Sequence, residues 1–222
     1  MVQLVKAVVL DSFKFKETSL ICNLYSQDFG LMSVIVSGMG KSKSIGGQIY
    51  FQPLSVIEFS VNYKEKKGIL RATNICLVYS PIGIIPDVKK YAISFFIAEL
   101  ILKTCREKEQ DPELYALLES TILLLGKEDF YDLHLYFLVK YIHLLGFSMR
   151  DNEFLSHDAI DHSHSKKVKD TLIQLSLADS YLPMLVNKAE RLIIIKYILH
   201  FLESNIGQIK LKSLSVLEDI FV

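Results

Sequence analysis

The chain changes its hydrophobic period near its first third. In PLSVIEFSVNY, Ile57, Phe59, Val61 and Tyr63 alternate with Glu58, Ser60 and Asn62, the period of two that marks a half-buried strand. KEKKG, Lys64 to Gly68, predicts a turn, and ILRATNICLVY its antiparallel partner, with Arg71 and Thr73 on the face that also carries Ile69 and Ile75. Upstream, VQLVKAVVLD, SLICNLYSQ and LMSVIVS are three further strands, the last two joined at Gln27-Asp28-Phe29-Gly30. Five strands in about 80 residues predict a small barrel or sandwich; closing a barrel removes the exposed edges of an open sheet, and the five-stranded OB-fold is the commonest way to do so at this size.

SPIGIIPD, Ser80 to Asp87, interrupts the alternation, and the predicted domain boundary falls there, with a barrel over residues 1–80 and an all-helical domain over 81–222. The fold class is therefore α+β in two domains. Asp87 caps a first helix through about Arg106, with Tyr91, Phe95, Ala98 and Leu102 on one stripe. Asp111-Pro112-Glu113 starts a second helix that ends near Gly126. A third runs from about Asp129 to Leu145, with Phe130, Leu133, Phe137, Tyr141 and Leu144 inward and Gly146 as the left-handed residue past its end. A weaker helix spans about Lys166 to Ser180. Asn187 and Glu190 form a capping box before RLIIIKYILHFLE, which is apolar on most sides and reads as the central buried helix, and Ser213 to Phe221 closes the bundle.

Half of the 222 residues are apolar, enough for a substantial core, and no apolar run reaches the ~18 residues of a membrane span. The opening MVQLVKAVVLDSF lacks a basic leader and a small-residue cleavage site, so the expected compartment is the cytoplasm. Cys22, Cys76 and Cys105 have no C-x-x-C spacing and read as reduced core thiols. Net charge is zero, yet residues 1–80 hold nine basic against five acidic groups, and the remainder 16 against 20: a basic front on an acidic back.

SGMGKSKSIGG, Ser37 to Gly47, invites a phosphate-loop reading, but the pattern G-x-x-x-x-G-K-[ST] places its first glycine at Ile35, inside a strand. No helix periodicity follows to supply an N-terminal anion site. No G-x-S-x-G elbow or H-E-x-x-H helix frames the serines, histidines and acids. His157, Asp158, Asp161, His162 and His164 offer metal-type donors, but the His162 and His164 spacing does not share a helical face, and a solvated loop is the simpler reading. His134, His143 and His200 lie in predicted helices as packing or surface residues.

The basic residues of the front half gather at predicted loops: Lys14 and Lys16 between the first two strands, Lys41 and Lys43 in the glycine-rich stretch, Lys64, Lys66 and Lys67 at a hairpin tip. Such lysines can neutralise phosphates without reading sequence, and Phe13, Phe15, Tyr50 and Phe51 can stack on bases. Composition alone leaves open that these lysines merely decorate loops and that the aromatics belong to the core. A scaffold whose barrel binds a protein instead of DNA is the alternative function.

The chain resembles the bacterial recombination mediators of the RecO family. The resemblance is carried by VKAVVLDSFKFKETSLICNLYSQDFGLMSVIVSGMGKSKS, then QPLSVIEFSV, GILRATNICLV, DPELYALL, the helix ending LLGF and the closing LKSLSVL. It implies an N-terminal OB-fold and a helical C-terminal domain, no catalytic turnover, binding of single- and double-stranded DNA, strand annealing, and help in loading RecA onto strands covered by single-strand-binding protein. RecR and the C-terminal tail of single-strand-binding protein are the implied partners, and a cytoplasmic, nucleoid-associated location goes with them. By position, Lys14, Lys16, Lys41, Lys43 and Arg71 match basic segments of the family's OB-fold, and Lys64 and Lys66 a variable hairpin. Many members carry a four-cysteine zinc module after the segment matching LLGF; this chain has no cysteine there, so no zinc and no other cofactor is expected. Lysines stand where the family's glycine segment has arginines, which keeps charge and loses bidentate phosphate geometry.

Overall fold

The protein was analysed as a computed structural model, in which residues 2–37, 49–62, 68–83, 87–105, 110–148, 165–183 and 186–221 are described. Five strands, β1 (Val2–Lys16), β2 (Ser19–Ser26), β3 (Gly30–Ser37), β4 (Val56–Asn62) and β5 (Ile69–Tyr79), close in the order β1-β2-β3-β5-β4. All pairings are antiparallel except β3 with β5, which is parallel, and β1 closes the barrel on β4. This is the OB-fold arrangement expected from the five strand segments. Its interior holds Val5, Ala7, Val9, Cys22, Leu24, Val34, Phe59 and Leu70.

Two of the four register shifts among the barrel's described pairings matter most for where side chains point. Between Val9 and Asp11 the β1–β2 register shifts, and there Val9 donates its N–H to Ser55 and accepts from Leu54, both at 2.8 Å. In β5 the shift falls beside Asn74, whose φ of 52° is a left-handed conformation that Asn tolerates better than most residues. The extra residue inverts the alternation: Ile69, Arg71 and Thr73 face outward, whereas Ile75 and Leu77 turn in against the barrel core. Ile75 therefore does not share a face with Arg71, as unbroken alternation predicts.

Six helices follow among the described residues: α1 (Val88–Thr104), α2 (Pro112–Leu125), α3 (Leu133–Leu144), α4 (Ser165–Leu177), α5 (Lys188–Ile206) and α6 (Ser213–Phe221). The start signals act as expected. Asp87 accepts from the N–H groups of Lys89 and Lys90, Asp111 from Glu113 and Leu114, and Asn187 and Glu190 form the reciprocal capping box. At the end of α3, Gly146 has a φ of 86°, and Gly146 and Phe147 donate to His143 and Ile142, a Schellman closure.

Three expectations about the helices change. The α1 stripe of Tyr91, Phe95 and Leu102 is not the buried one; Ile93, Phe96, Ile97, Leu100 and Ile101 are, because the helix is apolar nearly all round and β1, α3 and α6 cover the other side. Helix α3 begins at Leu133, not Asp129; Asp132 stands at its cap position, but its carboxylate is drawn to Arg191 (Nε 2.8 Å, Nη2 2.7 Å) and makes no cap bond. The most enclosed helix is α3, not α5: Leu133 to Val139 are consecutively buried, and α3 packs against α1, α2, α4 and α5. Cys76 is exposed and Cys105 half-buried, so only Cys22 is the core thiol expected of all three.

Helix α6 is anchored from a distance. The Glu99 carboxylate, on α1, accepts from the backbone N–H of Lys212 (3.1 Å) and Ser213 (2.8 Å) and from the Ser213 hydroxyl (2.6 Å). A carboxylate at a helix start satisfies orphan donors and complements the helix dipole. Removing it in Glu99→Ala is expected to cost about 1–3 kcal/mol. The urea midpoint should fall accordingly, and tryptic cleavage at Lys210 and Lys212 should quicken.

His134 lies fully buried on α3 beside Phe221 (ring centroids 5.4 Å), without a hydrogen-bond partner among the described residues. Burial, helped by the Arg191 charge, lowers its pKa to about 3 from 6.5. The unfolded chain therefore binds one more proton than the folded one between these values. This contribution is intact above pH 6.5 and lost as pH falls, at about 1.4 kcal/mol per pH unit. Urea titrations from pH 7 to 4.5 should show the loss, and His134→Leu should flatten the curve by one proton.

Candidate nucleic-acid interface

The barrel pairings bring together residues far apart in sequence. Phe13 pairs with Ile21, Ile21 with Ile35, and Ile35 with Arg71, so these four form one row across β1, β2, β3 and β5. The neighbouring inward row, Cys22, Val34 and Leu70, is buried in the barrel, which fixes the Phe13–Arg71 row on the outer face; its ends, Phe13 and Arg71, are exposed, whereas Ile35 is half-buried and Ile21 is buried. A second outward row, Asp11, Asn23, Ser33 and Ile69, lies beside it, with the Ser33 hydroxyl donating to Asn23 Oδ1 at 2.8 Å. Phe13 and Arg71 end the first row three strand spacings apart, about 14 Å.

Beyond this row β1 and β2 continue to the turn at Glu17-Thr18, with β3 paired to β2 as far as Ser19–Ser37. Lys14 and Lys16 therefore sit within β1, not in a loop, because FKFK alternates with the strand's own period of two. The register shift between Lys14 and Lys16 twists this end of β1. Phe13 is 47% and Phe15 49% exposed, and the Lys16 ammonium lies 5.5 Å from the Phe15 ring centroid. Lys14, Lys16 and Arg71 are exposed and make no ion pair among the described residues. One barrel end thus offers cations for phosphates and rings for base stacking; Asp11 is the carboxylate on the same face.

The other candidates divide. Lys41, Lys43, Lys64, Lys66 and Lys67 lie outside the described residues, as do His157 to His164. Phe51 is 6% exposed inside the barrel and Tyr50 is half-buried beside it, so Phe51 is a core residue and not a stacking surface. Sequence reasoning missed Ile21, Ile35, Asn23 and Ser33, the middle of both rows. Asn23 and Ser33, polar positions within the apolar runs SLICNLYS and LMSVIVS, held part of that signal, because each strand's second face must point away from the barrel interior. Among the described residues no group of three His, Cys, Asp or Glu side chains is arranged to hold a metal, and no helix is long and apolar enough to cross a membrane.

A closed barrel of this order followed by a helical bundle defines an OB-fold protein with a helical C-terminal region. The chain belongs to the RecO family. Residues 1–81 match the family described as "Recombination protein O N terminal", and residues 85–154 match "Recombination protein O C terminal". The chain is similar to the DNA repair protein RecO of Flavobacterium johnsoniae, 28% identical over 233 residues that cover 97% of this chain and 98% of that one. It is 31% identical over 164 residues to the namesake of Bacteroides fragilis (72% and 67% covered). With that of Pelodictyon phaeoclathratiforme it shares 32% identity over 145 residues, 64% of this chain, and spans only about half of that relative's length, 55%.

The split between core and surface aromatics is measurable. Phe51→Ala should cost about 3–5 kcal/mol in chemical unfolding, as large-to-small core changes do, whereas Phe13→Ala should stay within about 1 kcal/mol.

Proposed function

We propose that this chain is a non-enzymatic recombination mediator in DNA repair. It binds single- and double-stranded DNA, anneals complementary strands and helps RecA load onto single strands covered by single-strand-binding protein. Residues 1–80 act as the nucleic-acid-binding domain and residues 81–222 as the partner-binding domain. RecR and the C-terminal tail of single-strand-binding protein are its partners, and it works in the cytoplasm on the nucleoid. The single observation that carries the reading is the outward row from Phe13 to Arg71, flanked by Lys14, Lys16 and Phe15. Membership of a family whose relatives are named DNA repair proteins supports it.

The chemistry suits binding without sequence preference. Lysines act on phosphates as point charges, and exposed rings accept any base, since every base has a π-face. Both features serve annealing, which must tolerate every sequence. Lys41 and Lys43 join this surface in the proposal by their place between β3 and β4, and Lys64 and Lys66 by theirs between β4 and β5.

Salt titration of oligonucleotide binding tests it. Log affinity should fall linearly with log salt, and Lys14→Glu, Lys16→Glu and Arg71→Glu together should reduce that slope by about 2. Lys41→Glu with Lys43→Glu should weaken binding further. An unchanged slope and affinity in these variants would remove the barrel end from the proposal; a salt-insensitive protein complex without DNA affinity would favour the scaffold reading.

A further inference from the structure

A second place in the molecule combines cations with an exposed ring. Between the start of α1 and the turn joining α2 to α3 lies a cleft of about 490 Å³, lined by Val88, Lys89, Lys90, Lys127, Phe130 and Tyr131. Phe130 is buried and closes its floor. Its ring stacks on that of Tyr131 (centroids 5.2 Å, planes 8° apart), and Phe221 meets Tyr131 at 6.5 Å, edge to face. Tyr131, held between them, is 46% exposed. The Lys89 ammonium is 4.7 Å from the Tyr131 centroid and that of Lys90 5.1 Å from Phe130; Lys90 also donates to the Gly126 carbonyl at 3.3 Å.

Three ammonium groups face two carboxylates, and one of these, Asp87, is engaged by the backbone N–H groups of Lys89 and Lys90. Glu128 is the other, on the exposed rim. None of the three lysines is ion-paired among the described residues. This local surplus of positive charge sits in the half of the chain with 20 acidic against 16 basic groups.

We propose that this cleft is a second contact for single-stranded nucleic acid, with Tyr131 stacking on a base and Lys89, Lys90 and Lys127 neutralising the flanking phosphates. The inference rests on the DNA-binding reading above and extends it from the barrel to the helices. Two observations favour a nucleic-acid strand over an acidic peptide. First, buried Phe130 backs the cleft, so it presents the ring of Tyr131, over which the flexible Lys89 ammonium now lies, and not an apolar socket for a side chain. Second, the cleft begins where β5 ends: a Cβ on Gly126 would collide with the Tyr79 hydroxyl. From Arg71 to Tyr79 the strand runs eight residues, about 26 Å, and β5 contains no acidic residue. Glu58 of β4, beside Cys76, is the carboxylate nearest this path in the sheet.

The chain has no tryptophan, so Tyr131→Trp in the full chain gives a single reporter. Oligo(dT) of about 35 nucleotides should quench its fluorescence saturably. With Tyr131 native, Lys89→Glu plus Lys127→Glu should weaken binding of the same oligonucleotide about tenfold and lower the salt slope by about 1.4. The two substitutions should abolish the quenching without moving the thermal midpoint. If the oligonucleotide binds with a slope that depends on Lys14, Lys16 and Arg71 while the reporter and the lysine reversals are silent, the cleft inference fails and the barrel reading stands. If wild type binds no oligonucleotide, both fail. Quenching by a poly-glutamate peptide but not by oligo(dT) would overturn the cleft as a nucleic-acid contact.

Discussion

The two halves of the protein share one wall. Along β1, Val5, Ala7 and Val9 fill the barrel while Val8 and Leu10 belong to the core built by the helices, so the strand is buried on both faces from Ala7 to Leu10. Tyr25, Leu54 and Val56 join Val8 and Leu10 on the helical side. A strand buried twice cannot slip by one residue without exchanging the occupants of two cores. That constraint fixes the register of β1 against β2 and β4, and through it the position of everything β1 carries beyond Leu10. The exposed ribbon of Phe13, Lys14, Phe15 and Lys16 is thus aimed by residues that never touch solvent. Lys6, on the same strand, adds a peripheral tie to Glu119 of α2 at 2.9 Å, and its hydrogen bond to that carboxylate raises the lysine's pKa.

The helical region meets its own constraint with a few buried polar groups. Buried Glu190 of α5 pairs with Lys167 of α4, Asp132 and Arg191 pair with little exposure, and Arg191 also donates to the Val186 carbonyl. His134 beside them is held neutral by burial and by the same arginine. Phe221, from the last turn of α6, covers both, with its ring 5.7 Å from the guanidinium carbon and 5.4 Å from the imidazole centroid. The Glu99 anchor that holds the start of α6 therefore bears on this polar cluster and, through Phe221, on Tyr131. A surface ring suited to stacking is only as rigid as the helix packed behind it.

Much of this architecture is legible in the sequence, and the departures have physical causes. The period of two in PLSVIEFSVNY and the strand-type runs around it give the five strands, and Asp87, Asp111 and the Asn187–Glu190 box mark helix starts because capping is local chemistry. What depends on neighbours is not readable in the same way. FKFK looks like a basic loop between two strands until β2 pairs with it, and the phase of β5 is lost at Asn74 because a bulge is a property of two strands, not one. Phe13 and Phe51 are the same residue type near similar turn signals, and only the closed barrel assigns one outward and the other inward. Helix α1, apolar on nearly every side, leaves its buried face to be chosen by β1, α3 and α6. The candidate surface was half legible for the same reason: its charges stand out in composition, whereas the row joining Phe13 to Arg71 exists only after four strands align.

Distance decides how two such surfaces can cooperate. Charges separated by more than the Debye length, about 8 Å at physiological ionic strength, scarcely feel one another through solvent. The Arg71 end of β5 and the cleft beyond Tyr79 lie about 26 Å apart along that strand, so neither surface can strengthen the other electrostatically. Coupling has to pass through a ligand that touches both. For a flexible single strand this is an avidity problem: once one segment is held, the second contact sees a high effective concentration, and no new bond is needed to raise the overall affinity. Two weak surfaces joined in this way also release DNA in steps, one segment at a time. This fits the proposed annealing role, in which strands are held long enough to pair and are then released, and it needs no sequence preference at either site, only phosphates and the flat face of a base.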